Sequence, residues 1–259
     1  MGNIGWIDTH THLLDEALVS ELDELISKAQ EQGVSRFLVV AIDLKQAEEG
    51  IKLCEKYPQV DLAVGFHPSD IETIQDNDFE KLEEYLIHPR VVAVGEIGLD
   101  FYWHQHNKEE QKEIFIKQIE LANKYQLPII VHMREATEQT FEVLKTHVPA
   151  YSGMMHCYSG SAEMAAEFVK IGMHISLGGP VTFKNARVPK EVAKVVPLDK
   201  LHIETDSPYL TPHPFRGKRN DSSYLPLVGK EIAFLREMEE NALKRALSDN
   251  YTRLFKHKC

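Results

Sequence analysis

Phe37-Leu38-Val39-Val40-Ala41-Ile42 is apolar at every position, with no polar residue on either face. A strand with one wet face alternates, whereas a strand covered on both faces reads as a continuous apolar, β-branched run. Parallel sheets are covered on both faces, so this stretch predicts a parallel sheet wrapped in helices. Seven further strand-like runs lie at 5–12, 62–67, 91–97, 128–133, 153–156, 174–177 and 201–206, and the quoted run itself extends over 36–42. Helical stripes fill the gaps. Leu18, Leu22, Leu25, Ile26 and Ala29 share one face at helical spacing, as do Phe141, Leu144 and Val148, and Met164, Ala165, Phe168 and Val169. Helices are expected over 137–145, 161–170, 225–235 and 241–255.

Strand–helix alternation repeated eight times predicts an α/β chain closed as a (β/α)₈ TIM barrel, with an open doubly wound sheet as the alternative. The 259 residues match the usual barrel size. No Gly/Ser-rich linker or break in composition divides them, so residues 1–259 are expected to form one domain.

In such a barrel the C-terminal strand ends meet at one mouth, and six metal-ligating residues fall there. His10 and His12 end the first run, and two-residue spacing puts both imidazoles on one side. Glu96 ends the fourth run, His132 the fifth, His156 the sixth and Asp206 the eighth. Imidazole with carboxylate suits Zn²⁺, Mn²⁺ or Fe²⁺, and Mg²⁺ less strongly. One catalytic ion commonly takes three protein ligands and a water, so six donors point to two divalent ions with Glu96 between them. The expected chemistry is hydrolysis by an acidified water, with Asp206 accepting its proton and returning it to the leaving group. Cys157 reads as a small buried thiol beside His156 rather than a nucleophile. His88, His104, His106, His147, His174, His202, His213 and His257 read as surface or packing residues.

The chain carries 29 Lys and Arg against 40 Asp and Glu, a net charge of −11. A protein that coats nucleic acid presents a broad basic face, and this balance argues against one. It does not exclude contact with short DNA or a strand end, where the positive charge is local and partly metallic. The stretch His213-Pro214-Phe215-Arg216-Gly217-Lys218-Arg219 is locally basic and follows the eighth run, where barrels often hold phosphate. Arg134, two residues after His132, is expected to face the same side as a bidentate phosphate clamp. Phe101, Tyr102 and Trp103 follow the fourth run, either stacking on a base or packing on one another as a lid.

No apolar run approaches the 18 residues of a membrane span. The N-terminal stretch Met1-Gly2-Asn3-Ile4-Gly5-Trp6 has neither a secretory pattern nor the hydroxyl residue of a myristoylation site. Cys54, Cys157 and Cys259 form no disulfide framework and no C-x-x-C pair. A cytoplasmic protein without a membrane partner or an obligate protein partner is the expectation.

The segments Ile7-Asp8-Thr9-His10-Thr11-His12, Gly65-Phe66-His67-Pro68, Gly95-Glu96-Ile97-Gly98-Leu99-Asp100-Phe101-Tyr102, His156-Cys157-Tyr158-Ser159-Gly160 and Glu204-Thr205-Asp206-Ser207-Pro208-Tyr209-Leu210 resemble the TatD-type metal-dependent deoxyribonucleases. The initial His-x-His alone indicates only the wider amidohydrolase-like group. The resemblance implies a TIM barrel with His10 and His12 as the first metal pair and Glu96 as the bridge. It further implies His132 and His156 as the second pair, and Asp206 as final ligand and base. His67, Arg134, Glu204 and the stretch from Arg216 through Asn220 match positions lining that family's site, and His67, Arg134, Glu204, Arg216 and Arg219 are candidate substrate contacts. The implied activity is deoxyribonucleolytic, often exonucleolytic from the 3′ end, with two divalent ions (Zn²⁺, Mg²⁺ or Mn²⁺). Tyr158 stands where the family often has Phe, and Trp103 lies where a basic residue is common; both bear on substrate contact. A glutamate bridge, in place of the modified lysine of many amidohydrolase-like relatives, favours this family over deaminase-like enzymes. Two other readings use the same residues: a two-metal hydrolase of a small ester, lactone or amide, and a non-catalytic scaffold around a metal. The scaffold reading lacks the thiolate-rich set of structural zinc sites.

Overall fold

The computed structural model describes residues 4–75 and 77–255. His257, Cys259 and the first three residues of the N-terminal stretch lie outside the described residues. Eight strands appear in chain order: β1 Trp6–Thr11, β2 Val34–Ala41, β3 Val60–Val64, β4 Val91–Asp100, β5 Ile129–Arg134, β6 Gly153–Met155, β7 Met173–Leu177 and β8 Leu201–Ile203. They form one sheet in the order β1 to β8, and each paired neighbour runs parallel. The helices between them are α1 Leu22–Glu31, α2 Leu44–Lys56, α3 Asp78–Leu86, α4 Lys108–Tyr125, α5 Thr137–Thr146, α6 Ala162–Lys170 and α7 Arg187–Val195, followed by α8 Leu225–Leu235 and α9 Glu240–Phe255. This is the TIM barrel expected from the alternation.

The β2 run explains itself in this setting. Phe37, Val39 and Ala41 pack into the layer between sheet and helices, while Leu38 and Val40 point into the barrel with Ile7, Ala63, Ala93, Ile130 and Met154. Tyr251, Leu254 and Phe255 of α9 join that inner cluster and stopper it. Both faces of the strand are therefore dry, and burying each such side chain contributes roughly 1.5–3 kcal/mol.

Polar groups draw β8 and β1 together. Asp8 accepts from the backbone N–H and the hydroxyl of Thr205 at 2.9 and 2.7 Å, and Thr9 donates to the Ile203 carbonyl at 2.9 Å. Beyond the strand ends, the Asp206 N–H reaches the His10 carbonyl at 3.0 Å and the His12 N–H reaches Ser207 at 2.9 Å. This stitching holds the first and last strand ends, and so their donors, in one place.

Strand boundaries shift by one to three residues from expectation: β6 stops at Met155 and β8 at Ile203, so His156 and Asp206 sit just past the strand ends rather than in them. β4 continues three residues past Ile97 to Asp100, because Leu99 is buried and the backbone keeps pairing with β5. Val148 is not part of the α5 face: the helix stops at Thr146 and Val148 is exposed, since a residue before proline (Pro149) is pushed out of the helical region. No helix among the described residues is long and apolar enough to cross a membrane.

Candidate metal centre

The donors cluster at the C-terminal mouth around Glu96, itself almost fully buried. The Nε2 atoms of His10 and His12 stand 3.1 Å apart. Glu96 Oε2 lies 3.3 and 3.5 Å from them, and Asp206 Oδ1 lies 3.8 and 3.4 Å from them. Four ligands placed about 2.1 Å from one ion stand about 3.4 Å apart, so these separations have the size of a coordination shell. The other carboxylate oxygen faces a different set. Glu96 Oε1 is 2.6 Å from His156 Nε2, 2.7 Å from His132 Nδ1 and 3.5 Å from His67 Nε2. The His132 and His156 nitrogens are 3.4 Å apart.

One atom shows that the cluster fits an ion. Glu96 Oε2 is buried without a hydrogen-bond partner. A buried carboxylate oxygen left unpaired is costly, and a cation beside the His10 and His12 nitrogens removes the cost.

The electrostatics agree. Burial alone would raise the Glu96 carboxyl, but His156, His67 and His10 around it hold it well below the ordinary carboxylate range. Asp206 is likewise lowered against its burial, chiefly by His12 and then His156. Burial and His156 push His10 down. His12, His132 and His156 rise in spite of burial, through Asp206 for His12, Asp100 and Glu96 for His132, and Glu96 and Glu204 for His156. Both carboxylates are thus ionised near neutrality, and a bound cation would displace protons from the imidazoles.

Outer groups fix which nitrogen faces inward. Asp100 Oδ2 is 3.1 Å from His132 Nε2, which leaves Nδ1 directed at Glu96. Asp100 is itself held by the N–H groups of Tyr102 and Trp103 at 3.0 and 2.9 Å. Against burial, His132 and those N–H groups lower it to about 2. Glu204 is fully buried behind His156, 3.3 Å from its Nδ1 and 2.6 Å from the Cys157 N–H. His67 Nδ1 accepts the Ser69 N–H at 3.1 Å, so its Nε2 carries the proton that faces Glu96. Burial lowers His67, against the opposing pull of Glu96. On the adjoining segment, Gln118 of α4 accepts from the Phe66 N–H at 2.7 Å and donates to its carbonyl at 3.0 Å.

A cavity of about 700 Å³ opens above the cluster. His12, His67, Glu96, His132, His156 and Asp206 line its floor, and Arg134 and Trp103 its wall. The Arg134 guanidinium lies 4.2 Å from the Tyr102 ring centre and 5.4 Å from that of Trp103. Phe101 is buried, whereas Tyr102 and Trp103 are 51% and 64% exposed, so only the latter two are available to a ligand. Burial and the nearby Asp206 and Glu204 push the Cys157 thiol well above its usual range, which leaves it a poor nucleophile.

Three expected substrate contacts fall elsewhere. Glu204 is fully buried behind His156 and does not reach the cavity, so it positions that imidazole instead. Arg219 is not among the residues around the cavity. Its guanidinium forks onto Glu21 at 2.6 and 3.1 Å and also holds the Ala17 carbonyl. Carboxylates outnumber cations in this chain, and this cation is neutralised by one of them. Arg216 lines a separate groove next to the cavity. In the other direction, Asp100 was not among the expected site residues. The signal for it was present: Glu96, Gly98 and Asp100 alternate on one strand, so the two carboxylates face the same side.

The chain matches the family described as "TatD related DNase" over residues 7–256. It is 45% identical over 250 residues to the "Uncharacterized metal-dependent hydrolase YabD" of Bacillus subtilis, covering 96% of this chain and 98% of that protein. It is 36% identical to the "Uncharacterized metal-dependent hydrolase YcfH" of Escherichia coli, covering 96% and 95%. Among solved structures, the TatD homologue YJJV of Escherichia coli superposes with a TM-score of 0.93 at 31% identity, over 96% of this chain and 97% of that one. With its barrel, its buried Glu96 and its ring of histidines, the chain belongs to the TatD family of metal-dependent hydrolases.

Proposed function

We propose that this protein is a two-ion phosphodiesterase that removes nucleotides from DNA ends, working in the cytoplasm as an exonuclease. One observation carries the reading: the two oxygens of Glu96 face two different sets of donors, His10, His12 and Asp206 on one side and His132 and His156 on the other. A single carboxylate shared in this way suits a pair of divalent ions, whether Zn²⁺, Mg²⁺ or Mn²⁺. Bound there, such ions would supply an acidified water and neutralise charge on a phosphate.

The chain's own groups do the rest. Asp206, ionised and at the cavity floor, takes a proton from the attacking water as its oxygen bonds to phosphorus. The bond from phosphorus to the leaving oxygen breaks, and Asp206 returns the proton to that oxygen. His67 donates its Nε2–H to a phosphate oxygen. Arg134, held against Tyr102 and Trp103, gives the phosphate a cation from the wall. Glu204 keeps His156 oriented from behind.

The test is release of nucleotides from short single- and double-stranded DNA with Mg²⁺, Mn²⁺ or Zn²⁺. Wild type should release them, and Glu96→Ala should lower the rate by at least about a hundredfold. Release that is absent in wild type, or undiminished in Glu96→Ala, removes this reading. A second reading is favoured by the apolar side of the cavity, where Met133, Leu177, Pro180, Val181 and Leu210 gather. That wall suits a small ester or lactone, and turnover of such esters with DNA inert would establish it.

A further inference from the structure

Beside the catalytic cavity lies a second groove of about 360 Å³, lined by Phe183, Lys184, Asn185, Ala186, His213 and Arg216. The wall between them is thin. Pro180 and Val181 face the cavity, Phe183 faces the groove, and the intervening Thr182 accepts the His213 N–H at 2.8 Å. Val181 and Phe183 are two residues apart, so at most about 7 Å separates their backbones.

Three cations nearby in the sequence are paired with carboxylates: Arg187 with Glu191 at 2.8 Å, Lys190 with Glu231 at 2.9 Å and Arg219 with Glu21 at 2.6 Å, whereas Lys218 stands 5.5 Å over the Phe215 ring. Lys184 and Arg216, both exposed, pair with no carboxylate among the described residues. Arg216 instead lies against Phe183, its guanidinium 4.5 Å from the ring centre, a contact that holds the fork while leaving its N–H groups available. In a chain of net charge −11, two unneutralised cations in one concave site make a receptor for an anion.

We infer that this groove binds a backbone phosphate further along the strand whose end occupies the catalytic cavity. The inference rests on the nuclease reading of the neighbouring site. A strand end in the cavity continues over the thin wall formed by residues 180–182, and the groove is what it meets there. Lys184 supplies a point charge and Arg216 a forked donor to the phosphate oxygens, so the grip is independent of base sequence. It gives an acidic enzyme a hold on a strand without a basic face.

The experiment measures binding of a fluorescein-labelled octathymidylate by anisotropy in Mg²⁺. Its terminal linkages are methylphosphonates that resist cleavage and its internal ones are ordinary phosphates. Lys184→Ala/Arg216→Ala should bind about tenfold more weakly than wild type at low salt. The slope of log affinity against log salt should be shallower by about 0.7, the value for one phosphate contact on a single strand. Equal affinity and equal slope for the two proteins, or no binding by wild type, overturns the groove. Should the variant lose binding while wild type releases no nucleotides from ordinary DNA, the groove stands and the nuclease reading falls.

Discussion

At the scale of single residues, His10, His12, Glu96, His132, His156 and Asp206 share one small volume because a parallel barrel sends every C-terminal strand end to one mouth. Residues acting through a partner were harder to see. Arg219 finds Glu21, 198 positions away, and nothing local foretells that pairing. Asp100 acts only through His132, which becomes visible once β4 is known to run on to it. A carboxylate behind a metal-ligating imidazole fixes its tautomer and raises its basicity, and losing such a group typically costs 10–100-fold. Asp100→Asn should therefore lower metal affinity or turnover by about that factor, while the unfolding midpoint moves little. Metal titration of the purified variant followed by calorimetry checks this, and wild-type affinity and turnover together would show Asp100 to be merely structural.

At the scale of elements, the strands were legible because most of their residues are buried on both faces, and their ends were not. The end of β4 is decided by one glycine. Gly98 has φ of +145°, and a Cβ built on it would fall 2.0 Å from the carbonyl oxygen of His132 on β5. The missing side chain lets β4 lie against β5 at the point where Glu96 and His132 must meet. In the sequence Gly98 read as part of a recognition segment, and its geometric duty appears only once the neighbouring strand is in place. Gly98→Ala combines a backbone conformation that side chains rarely adopt with a contact against backbone that cannot swing aside. It should cost at least about 2 kcal/mol of stability. Because β5 must shift, catalysis should fall with it. Urea denaturation and metal titration of the variant test both parts, and an unchanged urea midpoint would mean that β4 and β5 tolerate separation here.

At the scale of the whole molecule, the net charge of −11 and the barrel divide the work between two ends. The mouth gathers ligands whose protonation answers to a cation, while the opposite end is closed by α9 over groups that stay uncharged. His174 and His202 meet there, Nδ1 to Nε2 at 2.9 Å, and Lys200 donates to His174 Nε2 from 3.2 Å. The sequence read both histidines as surface or packing residues; their burial selects packing, and their pairing depends on β7 lying beside β8. Burial first, and then Lys200 and Arg253, lower His174 from 6.5 to about 3, and burial with His174 lowers His202 well below its ordinary value. The folded chain therefore refuses protons that the unfolded chain accepts below about pH 6.5. This contribution to stability is complete above the unfolded value and is lost as pH falls toward about 3. The urea midpoint of the wild type should thus decline between about pH 7 and pH 5, and the decline should be smaller in His174→Gln/His202→Gln, whatever that variant's absolute stability. The comparison isolates this pair from the histidines of the mouth, which both proteins share. Parallel midpoint-against-pH curves for the two proteins would mean that the closed end of the barrel admits protons freely, and that the acid sensitivity of the fold arises at the mouth.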